Sequence, residues 1–398
     1  MRIPTPPGAA GVASLLPALA AALDGSGPPI APIPTVSASV SNDYVMSLLK
    51  AVRADANDPP VEFDDVAVVM ATSGSTGSPR GVLLPAAALT AFTDVVNGRG
   101  RPQWIAALPV TSMGGLNVLV RALAADREPI VLASIGGAGP FRSEDFAHAV
   151  DRALAVTNDA RVSVVPAQVA RLLSDDVGIE ALRRCTTILV GGAATKPSLA
   201  SAAAGLGIVL TPTYGSTETA GGCVFDGRPL PGVIVTSSSA GPGEAGVLTI
   251  AGPSIARGYR GDPLASAQYF TPGGFVTSDL GFVNADGQVT VVGRADDIVI
   301  VNGVNVSPAA VERVIGDLPD VVAAAAVAVP SRSGEPQLFA FVEVRDGAPA
   351  VHDAIAAAVT RALGKVAVPA IRQVPRLPHL PNGKVDRRQL QAWTTTEG

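Results

Sequence analysis

Cysteine, histidine and aromatic residues are all scarce in this chain of 398 residues. Two cysteines, Cys185 and Cys223, cannot build a disulfide framework, and so low a count suits a reducing compartment. Three scattered histidines (His148, His352, His379) and no Cys/His cluster leave no zinc-type donor set. Any metal is then expected to be a hard ion held by carboxylate and phosphate oxygens. Basic charge is short as well: 29 Lys and Arg against 34 Asp and Glu give a net charge of -5, which excludes the overall basic footprint of a nucleic-acid binder. No uninterrupted apolar run is long enough to span a bilayer. The Ala- and Leu-rich segment 8–23, preceded only by Arg2 and followed by Asp24, reads as an ordinary helix and not as an export signal. The expectation is a cytoplasmic protein without membrane insertion or nucleic-acid partner, with a homo-oligomer left open.

Hydrophobic residues, by contrast, make up 47% of the chain, enough to bury a large core spread over two or three domains. Strand-like apolar runs at 66–70, 162–165 and 188–190 alternate with Ala-rich helical patterns around 44–52, 145–155 and 167–173. That alternation is the pattern of an α/β domain. From about Val233 short β-like runs broken by Gly, Pro and Ser suggest a β-rich lobe. The charged segment 293–297 separates two β runs and marks a boundary, giving domains 1–295 and 296–398. The second has enough chain for its own α+β core, with a helix from Ser307, strands at 324–329 and 338–344, and a helix at 352–363.

Four segments carry chemistry. Thr72, Ser73, Gly74, Ser75, Thr76 and Gly77 form a loop dense in glycine and hydroxyls between two strand-like runs, able to wrap amides and hydroxyls around a phosphate. It is not a Walker A loop, because Pro79, Arg80 and Gly81 follow where that motif has Lys and a helix. The second segment, Thr213 to Thr219, offers an aromatic (Tyr214), a glycine (Gly215), hydroxyls (Ser216, Thr217) and a carboxylate (Glu218) suited to a nucleotide with Mg²⁺. In the third, Asp279 can accept from both hydroxyls of a ribose, with Arg294 nearby; read in isolation Asp279 is a turn or cap residue. The fourth places Lys384 on a Pro/Gly-bounded loop, a point charge suited to a group in transfer or, more plainly, part of a solvated basic tail.

In this order and spacing the four segments resemble the adenylate-forming superfamily of acyl-CoA synthetases, adenylation domains and luciferases, over residues 64 to 388. Within it, the stretches 162–168, 171–173, 188–194 and 221–230 look like the o-succinylbenzoyl-CoA synthetases of menaquinone biosynthesis in their short actinobacterial form. The resemblance implies a large N-terminal α/β domain with a β-rich lobe, and a small mobile α+β C-terminal domain turning about a hinge at Asp296. It also implies ATP, Mg²⁺ and coenzyme A acting on a small carboxylic acid. Lys384 would then bridge carboxylate and phosphate, helped by Thr217 and Arg80. Thr72 to Gly77 would hold phosphates and Glu218 the metal. Gly191, Gly192 and Ala193 with Tyr214 would frame adenine, with Gly215 and Ser216 beside it, and Asp279 and Arg294 would take the ribose. The loop Asn302, Gly303, Val304 and Asn305 would face coenzyme A. Ser112, Met113, Leu116 and Thr219 are the candidate walls of the acyl pocket.

Three positions depart from the pattern: Arg80 stands where lysine is usual, Ser278 replaces a common glycine, and Ser112 lies where these synthetases often carry a histidine. Rival readings stay open at this point: a ligase for another carboxylic acid, a stand-alone enzyme loading such an acid onto a separate carrier protein, and a catalytically silent nucleotide-binding homologue.

Overall fold

The computed structural model describes residues 1–37, 40–55, 57–72, 79–239, 245–295, 299–301, 304–330, 336–345, 351–379 and 385–395. Among them, the large domain is organised around a seven-stranded sheet. Its central strands, Gln103–Ala106, Ala160–Val164, Thr187–Val190 and Thr211–Ser216, run parallel with Ile130–Val131 at one edge. Gly221–Phe225 and Arg228–Pro229 complete the other edge as an antiparallel extension. Trp104, Ile105, Val162, Val164, Ile188 and Val190 are buried, as expected of strands covered on both faces and therefore apolar throughout.

A second sheet, wholly antiparallel, contains Ile234–Ser237, Gly246–Ala251, Phe270–Thr271, Gly274–Val283 and Val289–Arg294. Along Gly246–Ala251 burial alternates residue by residue, so one face meets the core and the other does not. This is the β-rich lobe expected after Val233. The strands Val66–Ala71 and Gly81–Pro85 pair antiparallel, Met70 opposite Val82, so the Gly/Ser-rich segment does join two strands. Residues 73–78 themselves lie outside the described residues.

The segment read as an N-terminal helix is one: Ala9–Asp24, closed by Gly25 in the left-handed conformation. No described helix is long and apolar enough to cross a membrane.

The small domain holds a three-stranded sheet, Val321–Pro330, Pro336–Val344 and Ala370–Gln373. Strand periodicity splits its core in two. Ala326, Leu338, Ala340 and Val342 pack with Val311, Ile315, Ile355 and Val359 of the helices Pro308–Gly316 and His352–Leu363. Ala325, Val327, Phe339 and Phe341 face Leu377, Leu390 and Trp393, the last two from the terminal helix Arg387–Thr395. The domain docks on the large one through Lys196, whose Nζ donates to the Val322 carbonyl at 3.0 Å, and Arg313, whose Nη2 donates to that of Val292 at 3.1 Å.

Candidate active site

Parallel strands bring the loops at their carboxyl ends to one edge of the sheet, where open α/β folds keep their ligand crevices. Here those loops surround a cavity of about 230 Å³. Leu108 and Pro109 follow the first central strand, Val165 the second, and Gly191 and Gly192 the third, while Ser216 ends the fourth and Thr217 follows it. Gly191 is required by close packing, since a Cβ there would lie 2.6 Å from Thr213 Oγ1. Gly221, at φ +101, sits so close to Asn117 that a Cβ would lie 2.1 Å from its Nδ2.

The helix Met113–Ala124 forms another wall. Ser112 caps it, accepting from the Gly115 amide at 3.3 Å and donating to the Pro109 carbonyl at 2.6 Å. Ser112 and Met113 line the cavity as expected. Leu116 and Thr219 do not. Leu116 is fully buried in the core formed with the N-terminal helix, because its place on the helix turns it away from the cavity. Thr219 is a turn clamp: its hydroxyl accepts from the Ser216 amide at 2.8 Å and donates to the Gly221 carbonyl at 2.7 Å. Ala193 is exposed and is not part of the wall.

Tyr214 alternates away from the cavity, between the lining residues Thr213 and Gly215. Its hydroxyl donates at 2.8 Å to Asp279 Oδ2, and burial together with the Asp279 charge pushes the phenol up. Asp279 lies mid-strand in Gly274–Val283, not in a turn, directly across from Arg294, whose Nη1 is 3.7 Å from Oδ1. A second cluster surrounds Glu218, whose Oε1 accepts from the Tyr259 hydroxyl at 3.0 Å. The Arg80 guanidinium lies 5.0 Å from the Tyr259 ring centre and 5.5 Å from that of Tyr269. Thr72 and Arg80 close the base of the glycine loop, Thr72 N donating to the Arg80 carbonyl at 2.8 Å and Arg80 N to Thr72 Oγ1 at 3.0 Å. Ser216 Oγ is buried beside the cavity with no hydrogen-bond partner among the described residues, a hydroxyl left for a ligand.

Lys384, Asp296, Asn302 and Gly303 lie outside the described residues. Val304 and Asn305 fall in the strand Val304–Val306, paired with Val299–Val301.

Sequence reasoning missed Arg121. It is 8% exposed, lines the cavity, and stacks at 5.2 Å over the Trp104 ring. Nη1 reaches Ser163 Oγ at 3.4 Å, and burial alone pulls its pKa down from 12.5 to about 10. No carboxylate pairs with it among the described residues. The signal was present: Arg121 is the one charge in the helix MGGLNVLVRALA. Tyr44 and Asn117, also in the wall, carried no such mark.

A profile described as AMP-binding enzyme matches residues 23–260, and one described as AMP-binding enzyme C-terminal domain matches 310–384. The chain is 36% identical over 396 residues to a Mycobacterium tuberculosis protein named "Probable 2-succinylbenzoate--CoA ligase", covering 98% of this chain and 97% of the relative. The 2-succinylbenzoate--CoA ligase of Geobacillus kaustophilus is 31% identical over 353 residues, 83% of this chain and 70% of that one. In fold the chain resembles the o-succinylbenzoate CoA synthetase of Bacillus subtilis in complex with its acyl-adenylate intermediate, at a TM-score of 0.74 and 21% identity, covering 98% of this chain and 87% of that one.

Proposed function

The chain belongs to the AMP-binding enzyme family, within the adenylate-forming superfamily, and from that premise we propose that its acid is 2-succinylbenzoate. It is an ATP-dependent, AMP-forming acid–CoA ligase that works through an acyl-adenylate. The observation that carries the choice of acid is Arg121, a buried cation in the cavity wall with no carboxylate partner among the described residues. 2-Succinylbenzoate has two carboxylates. One must reach the α-phosphate, and the other supplies the counter-charge that a desolvated guanidinium lacks. A monocarboxylic acid would leave Arg121 unpaired.

In the first half-reaction a substrate carboxylate oxygen forms a bond to the α-phosphorus while the bond to the bridging oxygen breaks and pyrophosphate leaves. In the second, the thiol of coenzyme A adds to the acyl carbonyl, loses its proton, and AMP departs. Charge develops on phosphate oxygens in both, so the protein's task is positioning and electrostatic stabilisation. Thr217 and the unpartnered Ser216 hydroxyl line the cavity where the α-phosphate must meet the acid. Glu218 offers a single carboxylate, and no group of three or more metal-ligating side chains occurs among the described residues. That donor set fits a Mg²⁺ ion that arrives on ATP and fills its shell with phosphate and water. Asp279, cross-strand from Arg294 and bonded to Tyr214, suits the ribose hydroxyls.

Lys384 is assigned to the first half-reaction, with rotation of a C-terminal domain about Asp296 withdrawing it and bringing the segment 302–305 to the site. The test is AMP release with Mg·ATP and coenzyme A, comparing 2-succinylbenzoate with benzoate, succinate and a medium-chain fatty acid. Strong selectivity for 2-succinylbenzoate is expected. Faster turnover of a monocarboxylic acid overturns the assignment.

A further inference from the structure

Tyr259 touches two groups of opposite charge, and neither touches the other through an ion pair. Its hydroxyl, on the ring's edge, donates to Glu218 Oε1 at 3.0 Å. Its ring carries the Arg80 guanidinium, 5.0 Å from the ring centre. The ring itself has little freedom. It is 5% exposed, meets Tyr269 edge-on at 6.2 Å and Phe270 at 5.2 Å, and its backbone amide donates to Ser266 Oγ at 2.8 Å.

We propose that Tyr259 is a positioning residue for Mg·ATP, holding Glu218 and Arg80 as two separate charges that would otherwise neutralise each other as an ion pair. The proposal rests on Glu218 meeting the metal and Arg80 the phosphates. An ionised carboxylate has about four lone-pair sites, so one bond from a phenol orients Glu218 and leaves its other oxygen for a cation. Arg80 follows the glycine loop directly, and the Thr72–Arg80 hydrogen bonds fix its backbone at the loop's base. Its planar guanidinium suits a place against two tyrosine rings; a lysine ammonium, compact and strongly hydrated, stacks less well.

The test compares Tyr259→Phe, Tyr259→Leu and Glu218→Gln. Binding of Mn²⁺ in the presence of ATP, without acid, is followed by the enhancement of water proton relaxation, which separates protein-bound Mn·ATP from Mn·ATP free in solution. Glu218→Gln is expected to weaken capture of the ion by about tenfold or more, and Tyr259→Phe by about three- to tenfold, the range for one hydrogen bond to a charged group. Tyr259→Phe should raise KM for Mg·ATP while leaving thioester formation from supplied adenylate unchanged, a split that loss of packing would not produce. Tyr259→Leu should also weaken binding of ATP alone, through loss of the Arg80 perch; should it fail to fold, Tyr259→Phe decides. Wild-type Mn²⁺ capture by Tyr259→Phe beside a weakened Glu218→Gln overturns the proposal and leaves the site reading intact. Wild-type capture by Glu218→Gln overturns the site reading itself, and the proposal with it.

Discussion

Replacing Arg121 by methionine should cost the enzyme its preferred acid and little or none of its stability. The side chain is buried, and its pKa falls from 12.5 to about 10 through desolvation alone. At 1.36 kcal/mol per unit, the cation is held against roughly 3 kcal/mol of folding free energy. The sign follows from linkage: the charged form is the disfavoured one, so this penalty applies at every pH below about 10. Methionine removes that penalty but also the stack on Trp104, worth about 1–2 kcal/mol, and a long hydrogen bond to Ser163 worth up to about 1 kcal/mol. The ligand-free variant should therefore unfold within a few °C of wild type, or above it. Breaking a buried ion pair would instead cost about 3–5 kcal/mol. Binding should show the opposite trend, since the second carboxylate of the acid loses the buried cation proposed to meet it. The comparison substrate is 4-oxo-4-phenylbutanoate, the same acyl chain without the ring carboxylate. Wild type should favour 2-succinylbenzoate in kcat/KM, and Arg121→Met should erase most of that preference, by about 30-fold or more for a truncated buried charge pair. Activity on the truncated acid should hardly change. An unaltered preference in Arg121→Met, or a fall in Tm of the size expected for a broken ion pair, would refute the reasoning.

Lys384→Ala should abolish pyrophosphate exchange, the signature of adenylate formation, while thioester formation from supplied adenylate persists; equal loss of both removes the assigned role. Lys196 belongs to the large domain, yet its ammonium meets the Val322 carbonyl, with Asp317, Glu343 and Glu312 near enough to raise a pKa that burial lowers. Lys196→Met should loosen the domain arrangement seen here, so the two half-reactions should shift in opposite directions; parallel loss in both assays would contradict that. Glu62 offers a pH test. Burial pushes its carboxyl up, but hydrogen bonds from Arg260 and the Gly261 amide outweigh this and hold it below the ordinary 4.5. A depressed carboxylate contributes stability above that value and loses it as pH falls through its folded pKa. The Tm gap between wild type and Glu62→Gln should therefore be widest near neutrality and close in acid; a gap independent of pH would contradict the pairing.

What the sequence made legible and what it hid follow from where each residue sits. The apolar runs 66–70 and 188–190 announced their strands because each is buried along its length and flanked by breakers, and 338–344 did so through its buried stretch from Leu338 to Val342. The small domain's helices were likewise readable, since Val311, Ile315, Ile355 and Val359 recur at helical spacing on one buried side. Asp279 could be named but not placed. A polar residue flanked by Ser278 and Leu280 has the local chemistry of a turn. Only pairing with Val289–Arg294, set by contacts the sequence does not spell out, makes it a strand residue facing Arg294.

The acyl pocket was the least legible part, for a geometric reason. Met113 and Leu116 are one helical turn apart, equally apolar and part of the same buried core, yet Met113 also lines the cavity and Leu116 does not. A helix between a core and a cavity is apolar on both sides, so periodicity cannot say which side is which. What breaks that symmetry is a residue that a packed core would reject. Arg121 is such a residue: a core would have to bury its charge unpaired, whereas a pocket for a dianionic acid provides the partner on binding. In a helix of this kind the misplaced polar side chain, more than the hydrophobic pattern, reveals the ligand's chemistry. Asn117, one turn before Arg121, is buried and lines the same cavity, its Nδ2 bonded at 2.9 Å to the Ala220 carbonyl. Together they mark the side of the helix that lines the cavity.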